Sequence, residues 1–390
     1  MLAATVRVTR DLDAAEEAVQ DAYVQALSTW VDDGVPAKPG AWLTTVARRN
    51  ALNALRRRRT LATKLPLLLE PDVAEPHEPD TDAIPDDRLR LVFTCCHPAL
   101  SPEAQVALTL RLVCGVATPD IAQAFLVAEA TMAARLTRAK KKIAAARIPY
   151  AVPSADELPA RVDAVLTVIH LLYATGHAAH SGADLVRDEL TGRALDLARM
   201  LRVLLPLERE AAGLLALLLV HEARRATRTD PDGRLVRLAE QDRSAWDREV
   251  IAEADRLLVR TLRTGPPGRF TVQAAIAALH AQAPSYDATD WPQILALYDE
   301  LLRIWPSPVV ALNRAVALAM VAGPEPALAE VEALERDGRL AGYRYLPSTK
   351  ADLLHRLGRD AEAVTAYRAA LALTGNAAEQ EFLEQRLSAL

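Results

Sequence analysis

The sequence predicts an all-α protein built as a string of helical modules. Ala and Leu dominate it, with apolar residues at 51% and aromatics at only 4% of 390 residues. That composition suits helices packed on helices better than β-sandwiches. Apolar residues recur at the +3 and +4 spacing of one helix face through most of the chain. The period breaks at a few Gly-, Pro- or acid-rich stretches: Asp32–Gly40, 60–85, 149–159, His180–Gly182, Thr229–Gly233, Gly265–Gly268 and Ala283–Asp290.

The first clear helix is DLDAAEEAVQDAYVQALSTW (11–30). Ala15, Val19, Ala22 and Ala26 form its inner stripe, and Glu16, Glu17, Gln20 and Asp21 face outward. An acidic helix binds DNA poorly, so this face fits a basic protein partner. On charge alone, a solvated face is the commoner case. The next helix, AWLTTVARRNALNALRRRR (41–59), turns Leu43, Val46 or Ala47, and Ala54 inward. Thr45, Arg49, Asn53 and Arg56 lie on another face, Arg48 and Arg57 add cations, and Trp42 stands at its start. An aromatic, a hydroxyl, an amide and cations on one helix can stack on an unpaired base and neutralise its backbone. A packed helix with a solvated Arg tail is the plainer alternative.

Residues 60–85 read as a Pro- and acid-rich linker. Residues 1–150 hold 19 Lys+Arg and 18 Asp+Glu, but eight of those acids lie in 60–87, where only Lys64 opposes them. Two basic blocks therefore flank an acidic connection. Helical period resumes at Asp86. Ser101-Pro102-Glu103 and Thr118-Pro119-Asp120 each place a capping oxygen before a Pro at the first helical position. A short helix bearing Ile121, Ala122 and Phe125 follows, then a turn near Leu126–Ala128, then a helix from about Glu129 to Ile143. Met132, Leu136, Ala139 and Ile143 form its buried stripe. Thr131, Arg135, Arg138 and Lys142 form a neighbouring row, with Ala134 beside it and Lys140, Lys141 and Arg147 extending the basic end. Such a helix can lie in a major groove, its Arg pairing with guanine edges and its outer cations with phosphates. A solvated amphipathic helix is the bland reading, but short helix, tight turn and basic second helix together favour DNA binding.

Other constellations exclude more than they offer. Cys95, Cys96 and His97 with Cys114 fit a tetrahedral metal site poorly, because adjacent cysteines point apart. His221-Glu222 begins a HExxH pattern, but Arg225 stands at the second histidine position. His170, His177 and His180 are read as satisfied histidines at a helix end, with a ligand or pH-sensing site as the sharper alternative. The DPDGRL segment (230–235) reads as a turn or, more sharply, as a regulatory contact. No Gly-rich phosphate loop, nucleophile elbow or paired-carboxylate motif appears, so neither enzyme activity nor a cofactor is expected. No apolar run reaches the ~20 residues of a membrane span, and the start lacks a signal-peptide pattern. Three cysteines, two of them adjacent, make no disulfide framework, which points to a reducing cytoplasm.

The order of these pieces carries a resemblance. DLDAAEEAVQDAYVQAL with PAKPGAWLTTVARRNALNALRRRR resembles region two of extracytoplasmic-function sigma factors, and LSPEAQVALTLRLVCGVATPDIAQAFLVAEATMAARLTRAKKKI resembles their region four. The resemblance implies a partner, core RNA polymerase, met at its β′ clamp by Glu16, Glu17, Gln20 and Asp21 and also at its β flap. It further implies promoter DNA, with the minus-ten element read by Trp42, Thr45, Arg48, Arg49, Asn53, Arg56 and Arg57. The minus-thirty-five element would be read by Thr131, Ala134, Arg135, Arg138 and Lys142. The acidic linker would thread the polymerase cleft. Three features depart from the pattern: Met1–Arg10 supplies less helix than region two normally begins with, Asn53 stands where Asp is common, and Ala133 and Ala134 replace longer polar residues. HLLYATGHAAHSG (170–182), EQDRSAWDREVI (240–251), SPVVALNRAVALA (307–319) and LPSTKADLLHRLGRDAEAVTAYRAAL (346–371) resemble a sigma-factor subgroup with a fused C-terminal helical domain. The last segment also resembles tetratricopeptide repeats, Ala363, Tyr367 and Ala370 fitting a second helix and Ile294, Tyr298 and Leu301 repeating the spacing.

The expected domains are therefore region two (1–59), the linker (60–85), region four with its helix-turn-helix (86–148), a helical extension (150–285) and tetratricopeptide-like repeats (286–390). The extension is expected to be regulatory, through a separate protein or an intramolecular contact. The rival is a helix-turn-helix transcription regulator with a repeat-built protein-binding domain.

Overall fold

The computed structural model describes residues 1–64, 87–125, 127–154, 156–178, 181–182 and 185–390. The acidic linker falls almost wholly outside the described residues. The architecture is helical, as the composition requires, and the only strands among the described residues are two of two residues each. Two compact units, Met1–Val168 and Ile169–Leu390, divide the chain.

The first unit begins with α1 (Leu2–Thr9), α2 (Leu12–Asp33) and α3 (Pro39–Lys64), which pack on one another. Asp11 starts α2, its carboxylate accepting from the Asp13 and Ala14 amides at 2.9 and 3.0 Å. Val19, Ala22 and Ala26 of α2 meet Leu43, Val46 and Ala47 of α3, with Trp30 and Trp42 packed at the edge. Ala54 departs from expectation: it is exposed, and Ala51 is the last buried residue of that stripe. Residues 52–54 are all exposed, so α1 and α2 stop covering α3 there. The helix nonetheless continues to Lys64, past the expected linker start at 60.

The same unit continues with α4 (Asp87–Cys95), α5 (Pro102–Leu108), a π-helical turn (Thr109–Val113), α6 (Thr118–Ala124) and α7 (Glu129–Ala145). Ser101 caps α5, accepting from the Ala104 amide at 3.4 Å, with Pro102 in the first turn. Met132, Leu136, Ala139 and Ile143 are the buried stripe of α7, at the spacing the sequence predicts. Cys95, Cys96 and Cys114 are buried free thiols. Burial, ahead of the opposing Thr109 hydrogen bond, pushes the Cys96 thiol up to about 12. Among the described residues no His, Cys, Asp or Glu cluster could hold a metal ion.

α8 (Leu158–His177) runs across the division between the units, so the compact first unit ends later than the break at 149–159. Arg161 near its start donates to the Phe93 carbonyl at 2.6 Å. By length and composition α8 could cross a membrane, at a mean hydropathy of 1.2, which corrects the expectation that no segment qualifies. Val162, Val165, Leu166, Ile169 and Leu172 are nevertheless buried core, as in an interior helix.

In the second unit follow α9 (Asp188–Leu204), α10 (Arg209–Ala223), α11 (Arg248–Arg263), α12 (Arg269–Gln282), α13 (Trp291–Ile304), α14 (Pro308–Val321), α15 (Pro324–Asp337), α16 (Tyr345–Arg356), α17 (Asp360–Ala372) and α18 (Ala377–Ser388). α10 is the central helix, with Ala211–Val220 all buried and α9, α11 and α12 packed around it. Gly213 permits its close crossing with α12, since a Cβ there would lie 2.4 Å from the Thr271 hydroxyl. Glu210 caps α12 across that crossing, accepting from the Phe270 amide at 2.8 Å and the Thr271 amide at 3.2 Å. From α12 to α18 each helix packs on the next. A core of Val272, Ile276, Trp291, Ile294, Leu301, Val310 and Ala317 runs across the expected division at 285–286. Ala363, Tyr367 and Ala370 are buried on α17, as their spacing predicts.

Two contacts tie distant parts of this unit. Strand β1 (Ser181–Gly182) pairs in parallel with β2 (Gly375–Asn376). In DPDGRL the Asp230 carboxylate accepts from the Asp232 and Arg234 amides at 2.9 and 2.8 Å, which closes the expected turn. Arg234 then reaches Glu381 of α18 at 2.7 Å.

Candidate nucleic-acid interface

Anchoring one face of α3 in the α2 contact turns its other face to solvent. Thr45, Arg48, Arg49, Asn53, Arg56 and Arg57 are all exposed there. No carboxylate among the described residues pairs with Arg48, Arg49 or Arg57. The Thr45 hydroxyl donates to the Ala41 carbonyl at 2.9 Å, so it is occupied by its own helix. Trp42 differs from the rest of the set. It is half-buried against Trp30, ring centroids 5.4 Å apart, and so takes part in the core as well as the surface.

On α7, burial of Met132, Leu136, Ala139 and Ile143 fixes the opposite face outward. Thr131, Ala134, Arg138 and Lys142 are exposed on it. Arg135 is held, its guanidinium lying 5.7 Å from the centroid of the Phe125 ring just beyond α6. A short helix, a turn and a basic second helix are thus placed as a helix-turn-helix requires. Arg138 and Lys142 meet no acid among the described residues and are available to phosphate or base edges.

The outer face of α2 divides. Glu17, Gln20 and Asp21 are exposed as expected. Glu16 is not: its carboxylate meets Lys140 Nζ at 2.7 Å and Arg111 Nε at 3.3 Å, and its side chain is only 18% exposed. Lys140 also meets Asp13 at 2.5 Å. Burial opposes charge on Lys140, but the hydrogen bonds it donates to the Asp13 and Glu16 carboxylates outweigh it and hold its pKa above the ordinary lysine value. An apolar strip borders the three exposed residues. Tyr23, Val24, Leu27 and Val31 are 47, 66, 75 and 82% exposed. Their +1, +3, +4 spacing is legible in the sequence as a second apolar face on a helix that already has a buried one. An exposed apolar strip rimmed by polar side chains marks a protein-docking surface.

In the second unit the expected His170, His177 and His180 group is separated. His170 packs on Phe270 with centroids 5.6 Å apart, while His177 stacks on Tyr173 at 5.4 Å and meets His221 at 5.2 Å. His180 lies outside the described residues. Burial, reinforced by Arg228 and then Arg224, pulls His177 down to about 2. Burial with Arg269 pulls His170 to about 4. These are neutral, packed histidines at physiological pH. The same unit holds an open cavity of about 730 Å³ between α13, α14, α16 and α18, with Trp291, Tyr298 and Tyr367 among its aromatic walls and Arg237, Arg356 and Arg386 among its cations. Its volume falls within the range of ligand pockets.

Comparison with known proteins matches three segments of the chain. Residues 2–60 match the family model for Sigma-70 region 2, and residues 90–143 match that for Sigma-70, region 4. Residues 161–262 match a family of unknown function, DUF6596. An uncharacterized protein of Rhizobium meliloti (strain 1021) is 43% identical over 394 residues, a match covering 100% of this chain and 93% of that protein. No solved structure matches the chain significantly.

Proposed function

Because the chain belongs to the sigma-70 family, as an extracytoplasmic-function-type sigma factor with a C-terminal extension, we propose a residue-level division of labour for promoter recognition and transcription initiation. The exposed face of α3 (Thr45, Arg48, Arg49, Asn53, Arg56 and Arg57) engages the opened minus-ten element. Trp42, half-buried against Trp30, supports that face from the core. Thr131, Ala134, Arg138 and Lys142 of α7 address the minus-thirty-five element, with Arg135 steadied by Phe125. Glu17, Gln20 and Asp21, together with the apolar strip from Tyr23 to Val31, dock on the β′ clamp of core polymerase. The second module also meets the β flap. Work on polymerase and DNA places the protein in the cytoplasm. The extension is regulatory, and its cavity takes a segment of a partner protein.

One observation carries this reading most directly. Two helices, α3 and α7, each bury one face and expose cations on the other, of which Arg48, Arg49, Arg57, Arg138 and Lys142 meet no acid among the described residues, and α2 adds an exposed apolar strip that a stand-alone DNA-binding regulator would not need. Transcription in vitro with purified core polymerase and this chain as the only added factor tests it. Promoter-dependent transcripts are expected, and these should fall when Arg49 and Asn53, or Arg138 and Lys142, are replaced by Ala. Absence of transcripts, together with no affinity for core polymerase, would refute it.

A further inference from the structure

Two helix stripes wall the cavity of about 730 Å³ in the second unit. On α14, Asn313, Val316 and Met320 follow one another at +3 and +4, so they share a face, and all three line the cavity. On α16, Thr349, Asp352 and Arg356 do the same. Val316 is 39% exposed, an apolar side chain left in water on the cavity wall. The Asn313 amide is exposed and makes no hydrogen bond among the described residues.

An aromatic wall of the same cavity holds an unmet donor. Trp291 stands edge-on to both His280 and Tyr286, ring centroids 5.1 and 5.2 Å away, and all three line the cavity. Trp291 is 9% exposed, and its indole N–H finds no acceptor. His280 Nδ1 is likewise buried without a partner. Burial, followed by Arg224 and Arg243, pulls His280 down to about 4, so the ring stays neutral at physiological pH. Buried polar groups in folded chains are almost always paired. An acceptor carried in by an occupant would pair the indole.

The charge of the cavity opposes that of its unit. Residues 169–390 hold 26 Lys+Arg against 30 Asp+Glu, yet the lining sets Arg237, Arg356 and Arg386 against Asp352 alone. Asp352 meets Arg386 at 3.1 Å, and Glu240, outside the lining, meets Arg237 at 3.0 Å. Arg356 is exposed and meets no carboxylate among the described residues. Its guanidinium donates to the Ala319 carbonyl at 3.2 Å and keeps its other donors for an occupant. Nucleic acid is met by a broadly basic surface. A local cation in an acidic unit, set beside an exposed apolar side chain, suits a carboxylate on a protein segment instead.

We propose that this cavity binds an acidic segment of a partner protein, with an apolar side chain of the segment seated on Val316 and a carboxylate paired with Arg356. The proposal rests on the reading that the cavity takes a segment of another protein, and it supplies the chemistry of that segment. The Trp291 indole N–H donates to a carbonyl oxygen of the segment. The Asn313 amide, donor and acceptor at once, pairs with its backbone.

The test selects random phage-displayed peptides on the immobilised full chain, then titrates a selected sequence, made as a fluorescent peptide, by anisotropy. Selected sequences should place Asp or Glu within a few residues of Leu, Phe or Trp. Arg356→Glu and Val316→Asp should each weaken the peptide by ~10-fold or more, and Arg356→Lys by less than ~3-fold. Both side chains are exposed, so melting temperatures should match wild type. Peptides that lack acidic residues, or that ignore Arg356→Glu, overturn the proposal; their loss in Val316→Asp leaves the segment reading standing. Peptides that ignore Val316→Asp bind elsewhere and overturn both. Displacement of the peptide by single-stranded oligothymidylate overturns the proposal in favour of nucleic acid. An empty selection overturns both readings, and anilinonaphthalene sulfonate bound by wild type but not by Val316→Asp would then assign the cavity to a small aromatic anion.

Discussion

Replacing Leu27 and Val31 by Ser separates a docking strip from an idle surface. Both side chains already face solvent, 75 and 82% exposed, so their loss changes folding stability by no more than about 0.5 kcal/mol. Fully burying a Leu or Val is worth about 1.5–3 kcal/mol, and three-quarters of that remains to be gained when a partner covers them. Each truncation therefore costs ~1–2 kcal/mol of binding, and the pair ~2–4 kcal/mol, or roughly thirty- to several-hundred-fold in affinity. Titrating fluorescent chain with core polymerase measures the loss, and thermal unfolding measures stability. A double variant that binds core polymerase as tightly as wild type refutes the assignment of the strip. A double variant that melts well below wild type refutes the premise that these residues lie outside the core.

Three other outcomes follow from the same reasoning. Met132 is fully buried in the stripe that orients α7, so Met132→Ala should destabilise the second module by ~2–5 kcal/mol, read by thermal unfolding and proteolysis; unchanged resistance would contradict the packing. Arg138→Ala and Lys142→Ala should each reduce the salt dependence of promoter binding by about 0.9 in log–log slope if the side chain meets a phosphate; an unchanged slope assigns it elsewhere. His177 is held neutral, its pKa lowered in the fold to about 2, whereas unfolded histidine titrates near 6.5. The unfolded chain therefore binds the extra proton first as pH falls. The stability held above pH ~6.5 declines below it, by ~2 kcal/mol at pH 5 for one such histidine. His177→Phe should flatten the fall in melting temperature between pH 7 and pH 5, and an equally steep fall would show that the proton goes elsewhere.

What the sequence disclosed was local. The stripes Ala15–Ala26 and Met132–Ile143 could be read because helix period alone decides which side chains share a face. Ser101 and Pro102 marked the start of α5 because a cap is chosen by its own next turn. The failures were long-range. The spacing of Glu16 predicts an outward face beside Glu17, but Lys140, 124 residues away, decides its environment. Ala54 continued an apolar stripe whose covering partners had already ended. Leu27 and Val31 were visible all along, yet an apolar side chain that must stay wet looks in sequence like one that packs. The π-helical turn at Thr109–Val113 shifts the 3.6-residue period by a single residue, which leaves the apolar pattern of the sequence almost unchanged.

The Ser181–Gly375 pairing and the Arg234–Glu381 bridge bear on how the extension can be trimmed. A linear stack of helical hairpins frays from its ends, and each hairpin removed costs only its own share. Here β2 and the final helix are clasped to residues roughly 200 and 150 positions upstream, as a belt is buckled near its first hole. Nicking the polypeptide just before Ala377 would loosen the DPDGRL turn and the segment after α8 together. The second unit should melt as one cooperative block, so a truncation within it should cost the whole block rather than a single hairpin.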